Sequence, residues 1–167
     1  EYHGIKLHET FGNFAFAIAC RVLGLRDIGP ALSPFNAFLI LTGVETLALR
    51  MQKHCDNAKA VAEWLAAHPA VSWVRYAGLP GDQFNALAKR YVPKGAGGIF
   101  TFGFKGGYDA GIALVSNVKL FSHLANIGDT RSLIIHPAST THRQLSDEAR
   151  LRAGAGPDVV RLSIGLE

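Results

Sequence analysis

Apolar positions in the first third of the chain recur with the period of a helix. Between Asn13 and Leu23, Phe14, Ala17, Ile18 and the Arg21–Val22 step follow a 3.6-residue spacing, and Gly24 is expected to end the run. Asp27-Ile28-Gly29-Pro30 reads as a turn. Ser33-Pro34 opens a second helix, because serine can cap it and proline tolerates the first helical position. That pattern continues to His68, where Pro69 stops it, and Gly43 is the expected break in so long a stretch. From about Glu45 it separates into an apolar stripe of Leu47, Met51, Ala58, Val61, Ala62 and Leu65 and a charged one of Arg50, Lys53, Asp56, Lys59 and Glu63.

After Pro69 the period changes to two. Residues 71–76 read as a strand, and Gly78-Leu79-Pro80-Gly81 turns out of it. A short helix over 83–91 is closed by Pro93, and 98–104 is a strand with Phe100, Phe102 and Phe104 on one face. A helix over 108–115 precedes short strands at 119–123 and 132–136. Ser146-Asp147-Glu148 opens a last helix with a cap and two acids matched to its dipole, closing near Gly154. Residues 159–164 form the final strand. Strands interleaved with helices predict an α/β chain built as an α+β two-layer sandwich.

Composition narrows the classes. A chain of 167 residues, 49% hydrophobic and 18% charged, can bury a core. The net charge of +4 and pI near 9.3 come from scattered basic residues with no Lys/Arg block, which argues against nucleic-acid binding. No apolar run approaches the roughly 20 residues of a membrane span. Cys20 and Cys55 form no CxxC pair, and a reducing, cytoplasmic compartment is expected. The chain starts at Glu1 and enters a helix pattern almost at once, so it reads as a piece of something larger.

Most candidate motifs favour structural readings. Gly95, Gly97, Gly98 and Gly103 precede or sit in a strand and match no phosphate-binding fingerprint. His123, His136 and His142 lie outside any HExxH or Cys/His cluster, and no GxSxG elbow exists. Arg161 differs, because it sits inside the apolar strand Val159-Val160-Arg161-Leu162-Ser163-Ile164. A guanidinium there faces solvent or clamps a carboxylate through forked hydrogen bonds, and the residues alone leave both open. Asn126-Ile127-Gly128-Asp129 is a polar turn of the kind that meets ligands, and His136 to His142 places small hydroxyl residues in a loop.

Together these segments carry a resemblance. Residues 120–129, 132–142 and 160–167, with Leu32 to Phe38 and Leu47 to Met51 earlier, are similar to the carboxy-terminal part of the Cys/Met-metabolism pyridoxal-phosphate enzymes, in the same order and over the whole chain. The resemblance implies the C-terminal small domain of a fold-type I transferase over 45–167, preceded over 1–44 by the last helices of the large cofactor-binding domain and a linker. Ala125-Asn126 and Pro137 to His142 resemble the members that replace the acetate of O-acetylhomoserine with sulfide, yielding homocysteine. Cystathionine gamma-synthase and methionine gamma-lyase activities, or an inert interaction module, are the alternatives. By resemblance Arg161 binds the substrate α-carboxylate, Asn126 helps orient it, and Thr141 lies near the substrate. The cofactor is expected to be pyridoxal 5'-phosphate held by an absent N-terminal part, since Lys6, Lys53, Lys59, Lys89, Lys94, Lys105 and Lys119 all lack the Ser-x-Thr-Lys context. No catalytic, cofactor-binding or metal-binding residue is expected within the chain, which should be inactive alone. The expected partners are that missing part and further subunits of a homotetramer. The stretches Phe14 to Ala19 and Phe35 to Leu41 are apolar nearly all round, which favours such a partner over a stand-alone module.

Overall fold

A computed structural model describes residues 3–167, which divide into two compact units, one running to Glu45 and the other from Thr46 to Glu167. In the first unit, helix α1 (Leu7–Phe11) passes through a 3-10 turn (Gly12–Phe14) into α2 (Ala15–Ala19) and a π-helical segment (Cys20–Ile28). The helical run therefore does not end at Gly24. It ends at Gly29, whose φ of 69° lets its N–H reach Leu25 O at 3.0 Å and close the last turn. Helix α3 (Pro34–Glu45) is capped as expected, the Ser33 hydroxyl accepting from Asn36 N–H at 3.1 Å. No described residue of this unit is buried, and Phe14, Phe16, Phe35 and Phe38 are all more than 60% exposed.

Helix α4 (Leu47–Ala67) begins the second unit. The interruption falls at Thr46 and not at Gly43, which lies within α3. An interior glycine weakens a helix by about 1 kcal/mol without breaking it when its neighbours keep their ladder bonds. Four strands follow: β1 (Val71–Arg75), β2 (Ile99–Phe104), β3 (Leu133–Ile135) and β4 (Val159–Ser163). They pair antiparallel in the order β1-β2-β4-β3. Helices α5 (Asn85–Tyr91), α6 (Gly107–Asn117) and α7 (Asp147–Arg152) lie between them in sequence. The antiparallel sheet with its helices gives the α/β class expected. The strand expected over 119–123 is reduced to one bridge between Ser122 and Leu133, because the Leu124 N–H turns back to Ser122 O at 3.0 Å and ends the pairing.

Strand alternation divides the sheet into two faces. Phe100 and Phe102 of β2, Val160 and Leu162 of β4 and Ile134 of β3 meet Ala58, Ala62 and Leu65 of α4 and Val115 of α6 in the core. The two alanines are fully buried, and their small side chains let α4 lie close to the strands. Burial of each phenylalanine contributes about 1.5–3 kcal/mol. The register places Arg75, Thr101, Arg161 and Ile135 in one row across the opposite face. On that face Trp73 lies across Gly103, where a Cβ would come within 2.2 Å of the indole nitrogen, and its N–H donates to Asp158 at 3.1 Å. Among the described residues no helix is long and apolar enough to cross a membrane.

Candidate carboxylate-binding site

Arg161 emerges on the non-core face because Val160 and Leu162, its neighbours in β4, point into the core. It is half-buried, between Thr101 of β2 and Ile135 of β3. A guanidinium carries five donors. One of them reaches a protein acceptor, Nη2 donating to the Asn126 carbonyl at 3.3 Å. Among the described residues no carboxylate pairs with Arg161, whereas Arg131, Arg150 and Arg152 are matched with Asp129, Asp147 and Glu148.

The turn that supplies Asn126 is shaped by its own polar groups. The Asn126 Oδ1 accepts from Ile127 N–H at 2.8 Å, which leaves its NH2 group without a partner among the described residues. Gly128 adopts φ 77°, a conformation other residues rarely take. Asp129 accepts from the Arg131 N–H at 3.0 Å and from its guanidinium at 3.2 Å, and these bonds hold its carboxyl below the usual range. Uncommitted N–H donors of an arginine in mid-strand β4 and of the side-chain amide of the turn it bonds thus lie near one another. Donors without an acidic partner, one of them cationic and set into a sheet, suit a carboxylate.

Arg161 and Asn126 are therefore brought together by a hydrogen bond, and Thr141 is not joined to either. Its hydroxyl pairs with His142 Nδ1 at 2.9 Å on the exposed turn after the 3-10 helix Pro137–Ser139. That loop is anchored by His136, which is fully buried. Because a carbonyl only accepts, His136 Nε2 donates to Pro157 O at 2.9 Å, while Nδ1 meets the Ser139 hydroxyl at 2.9 Å. His136 thus ties the Thr141 loop to the turn that leads into β4. The sequence pattern places His136 at the end of a strand and the start of a loop, outside any metal-binding motif, and gives no sign of this anchoring role. Nor does the pattern give a role to His54, Asn57, Ser132 and Glu167, which gather at the end of β4. The spacing of His54 and Asn57 on one helical face was their only local signal.

Among the described residues no lysine is set in a pocket that fits pyridoxal phosphate. Every lysine is exposed; Lys6 and Lys59 face glutamates, and Lys105 donates to the Pro69 carbonyl at 2.6 Å. Lys94 borders a cavity, but one shared with Met51, Cys55, Tyr91, Val92 and Pro93, without a phosphate cradle.

The chain is 52% identical to an O-acetyl-L-homoserine sulfhydrylase 1 of Thermus thermophilus, the match covering 99% of the chain and 39% of that protein. It is 49% identical to a homocysteine synthase of Schizosaccharomyces pombe, with the same coverage. The fold superposes with a TM-score of 0.85 on a Campylobacter jejuni structure described as an O-acetylhomoserine (thiol)-lyase with N'-pyridoxyl-lysine-5'-monophosphate, at 44% identity, over 99% of the chain and 39% of that one. The chain thus spans about two fifths of the length of the relatives it matches. The family profile described as Cys/Met metabolism PLP-dependent enzyme matches residues 6–167, and the chain belongs to that family.

Proposed function

We propose that this chain acts as the carboxy-terminal part of an enzyme that replaces the acetate of O-acetylhomoserine with sulfide to make homocysteine. The observation that carries this reading is Arg161, a half-buried strand arginine without an acidic partner among the described residues, hydrogen-bonded to the Asn126 turn. Its free N–H groups take the two oxygens of the substrate α-carboxylate, and the Asn126 NH2 group adds a third donor. Thr141 stands near the bound substrate when the rest of the enzyme is in place. The clamp holds the end of the substrate that does not react, so its binding energy serves to orient the reacting end.

Pyridoxal phosphate, its lysine and the proton transfers belong on this reading to the rest of the enzyme, and the chain by itself is inactive. Residues 1–44 complete the large domain, and 45–167 form the substrate-binding domain of a cytoplasmic homotetramer. The exposed Phe14, Phe16, Phe35 and Phe38 suit packing against the rest of the assembly, and the free thiols Cys20 and Cys55 suit a reducing compartment. The names of the sulfhydrylase and homocysteine-synthase relatives support the substrate pair. Incubating the full-length enzyme with O-acetylhomoserine and sulfide, and separately with cystathionine or methionine, tests the assignment. Homocysteine and acetate should form in the first reaction. Rapid cleavage of cystathionine or methionine with no use of O-acetylhomoserine would assign it to the lyases of the family.

A further inference from the structure

The turn carrying Asn126 is exposed at nearly every residue, so burial does not fix its place. Hydrogen bonds do. At its start Asn126 O accepts a 3.3 Å bond from Arg161, and the preceding Ser122 closes the base of the turn, its N–H donating to Ser132 O at 2.9 Å. At its end it is fastened to the last residues of the chain: Leu166 N–H donates to Thr130 O at 2.9 Å, Gly165 N–H donates to the Ser132 hydroxyl at 2.8 Å, and Ser132 N–H donates to Glu167 Oε1 at 2.5 Å. Ser132 is itself buried. Gly165 packs so closely that a Cβ there would fall 2.5 Å from Ser132 N, so only glycine allows this approach.

The tail that grips the turn is in turn held by α4. His54 Nδ1 donates to Ile164 O at 2.6 Å, and Asn57 Nδ2 donates to the carbonyls of Gly165 and Glu167, each at 3.0 Å. Ile164 N–H completes the anchorage by donating to Gly98 O at 2.8 Å. The path is continuous: a buried helix face fixes the tail, the tail fixes Thr130 and Ser132, and these fix the far end of the turn whose near end meets Arg161. Burial pushes the Glu167 carboxyl up, but the N–H and hydroxyl of Ser132, its own N–H and His54 outweigh that and hold it below its ordinary value. A depressed carboxyl keeps this grip charged above the ordinary carboxylate range and loses it as pH falls through the lowered value.

We propose that Ser132 and Glu167 are positioning residues for the carboxylate site, a latch that holds the Asn126 turn at the distance from Arg161 at which both can grip one carboxylate. The proposal rests on the assignment of Arg161 to the substrate carboxylate. It is tested in the full-length holoenzyme by calorimetric binding of an unreactive amino acid, norleucine, and of pentylamine, which has the same carbon chain without the carboxylate. Glu167→Ala and Ser132→Ala should weaken norleucine binding about tenfold, the loss expected when one charge-assisted contact is misplaced, and leave pentylamine unchanged. Glu167→Gln keeps an acceptor for Ser132 N–H and should restore most of the norleucine affinity. Glu167 is exposed, so its variants keep the result readable should Ser132→Ala fail to fold. Unchanged norleucine binding in Glu167→Ala, or equal weakening of both ligands, would overturn the latch. Arg161→Lys separates the two ideas: if it leaves the preference for norleucine intact, the carboxylate assignment itself fails; if it abolishes the preference while Glu167→Ala does not, only the latch fails.

Discussion

Arg161→Lys in the full-length enzyme is expected to lower kcat/KM for O-acetylhomoserine by roughly ten- to hundredfold, while the fold and the cofactor absorbance stay those of the parent. The size follows from the chemistry of the clamp. Lysine keeps the positive charge but loses the planar fork, and the loss of one charge-assisted hydrogen bond is worth on the order of 1.5–3 kcal/mol. Fold should survive because Arg161 is not part of the core; among the described residues its side chain makes one hydrogen bond, to a carbonyl on an exposed turn. Steady-state kinetics with O-acetylhomoserine, and binding of a carboxylate-free amine alongside, check the outcome. The amine should bind the variant and the parent alike. A variant that turns over O-acetylhomoserine like the parent, or that chiefly loses cofactor, would show that Arg161 does not serve the substrate.

His136→Ala should produce the largest loss of local stability. The imidazole is fully buried, stacks edge-on with Tyr108 at 5.1 Å between centroids, and bonds Pro157 O and the Ser139 hydroxyl. Its removal leaves a cavity and strands the Pro157 carbonyl, together on the order of 2–4 kcal/mol. Amide exchange across Leu133–Ile135 and Val159–Ser163 in the full-length enzyme should accelerate by about thirtyfold or more. Undiminished protection of these strands would contradict the role given to the ring. Gly111→Ala probes the same packing from α6, since a Cβ there would sit 2.6 Å from His136 Cδ2. Overpacking at such a site costs about 1–3 kcal/mol, less up to about 1 kcal/mol gained in helix propensity. Combining the two substitutions should cost less than their sum, because the alanine at 136 removes the atom that the alanine at 111 would strike.

The parts of this fold that could be read in advance are those written in local patterns. Alternation marks β1, β2 and β4 because each shows one face to the core, and the same alternation made Arg161 conspicuous as a charge among Val160, Leu162 and Ile164. Ser33 and Ser146 announced helix starts through their hydroxyls, and both accept the expected N–H. Gly24 misled because a glycine stops a helix only where positive φ is needed, and Gly29 supplies that instead. The strand expected over 119–123 failed for want of a partner: one bridge forms before the chain turns away. The grip on the Asn126 turn was invisible for a different reason. His54 meets Ile164 across 110 positions and Ser132 meets Glu167 across 35, and no window of sequence holds both ends of such a bond.

A crystal structure of the full-length enzyme with norleucine bound would show directly whether Arg161 clamps the carboxylate. Both carboxylate oxygens should lie about 3 Å from guanidinium nitrogens of Arg161, with the Asn126 NH2 group donating to one of them. A carboxylate held by other residues, with Arg161 turned to solvent or paired with an acid from elsewhere in the enzyme, would contradict the clamp.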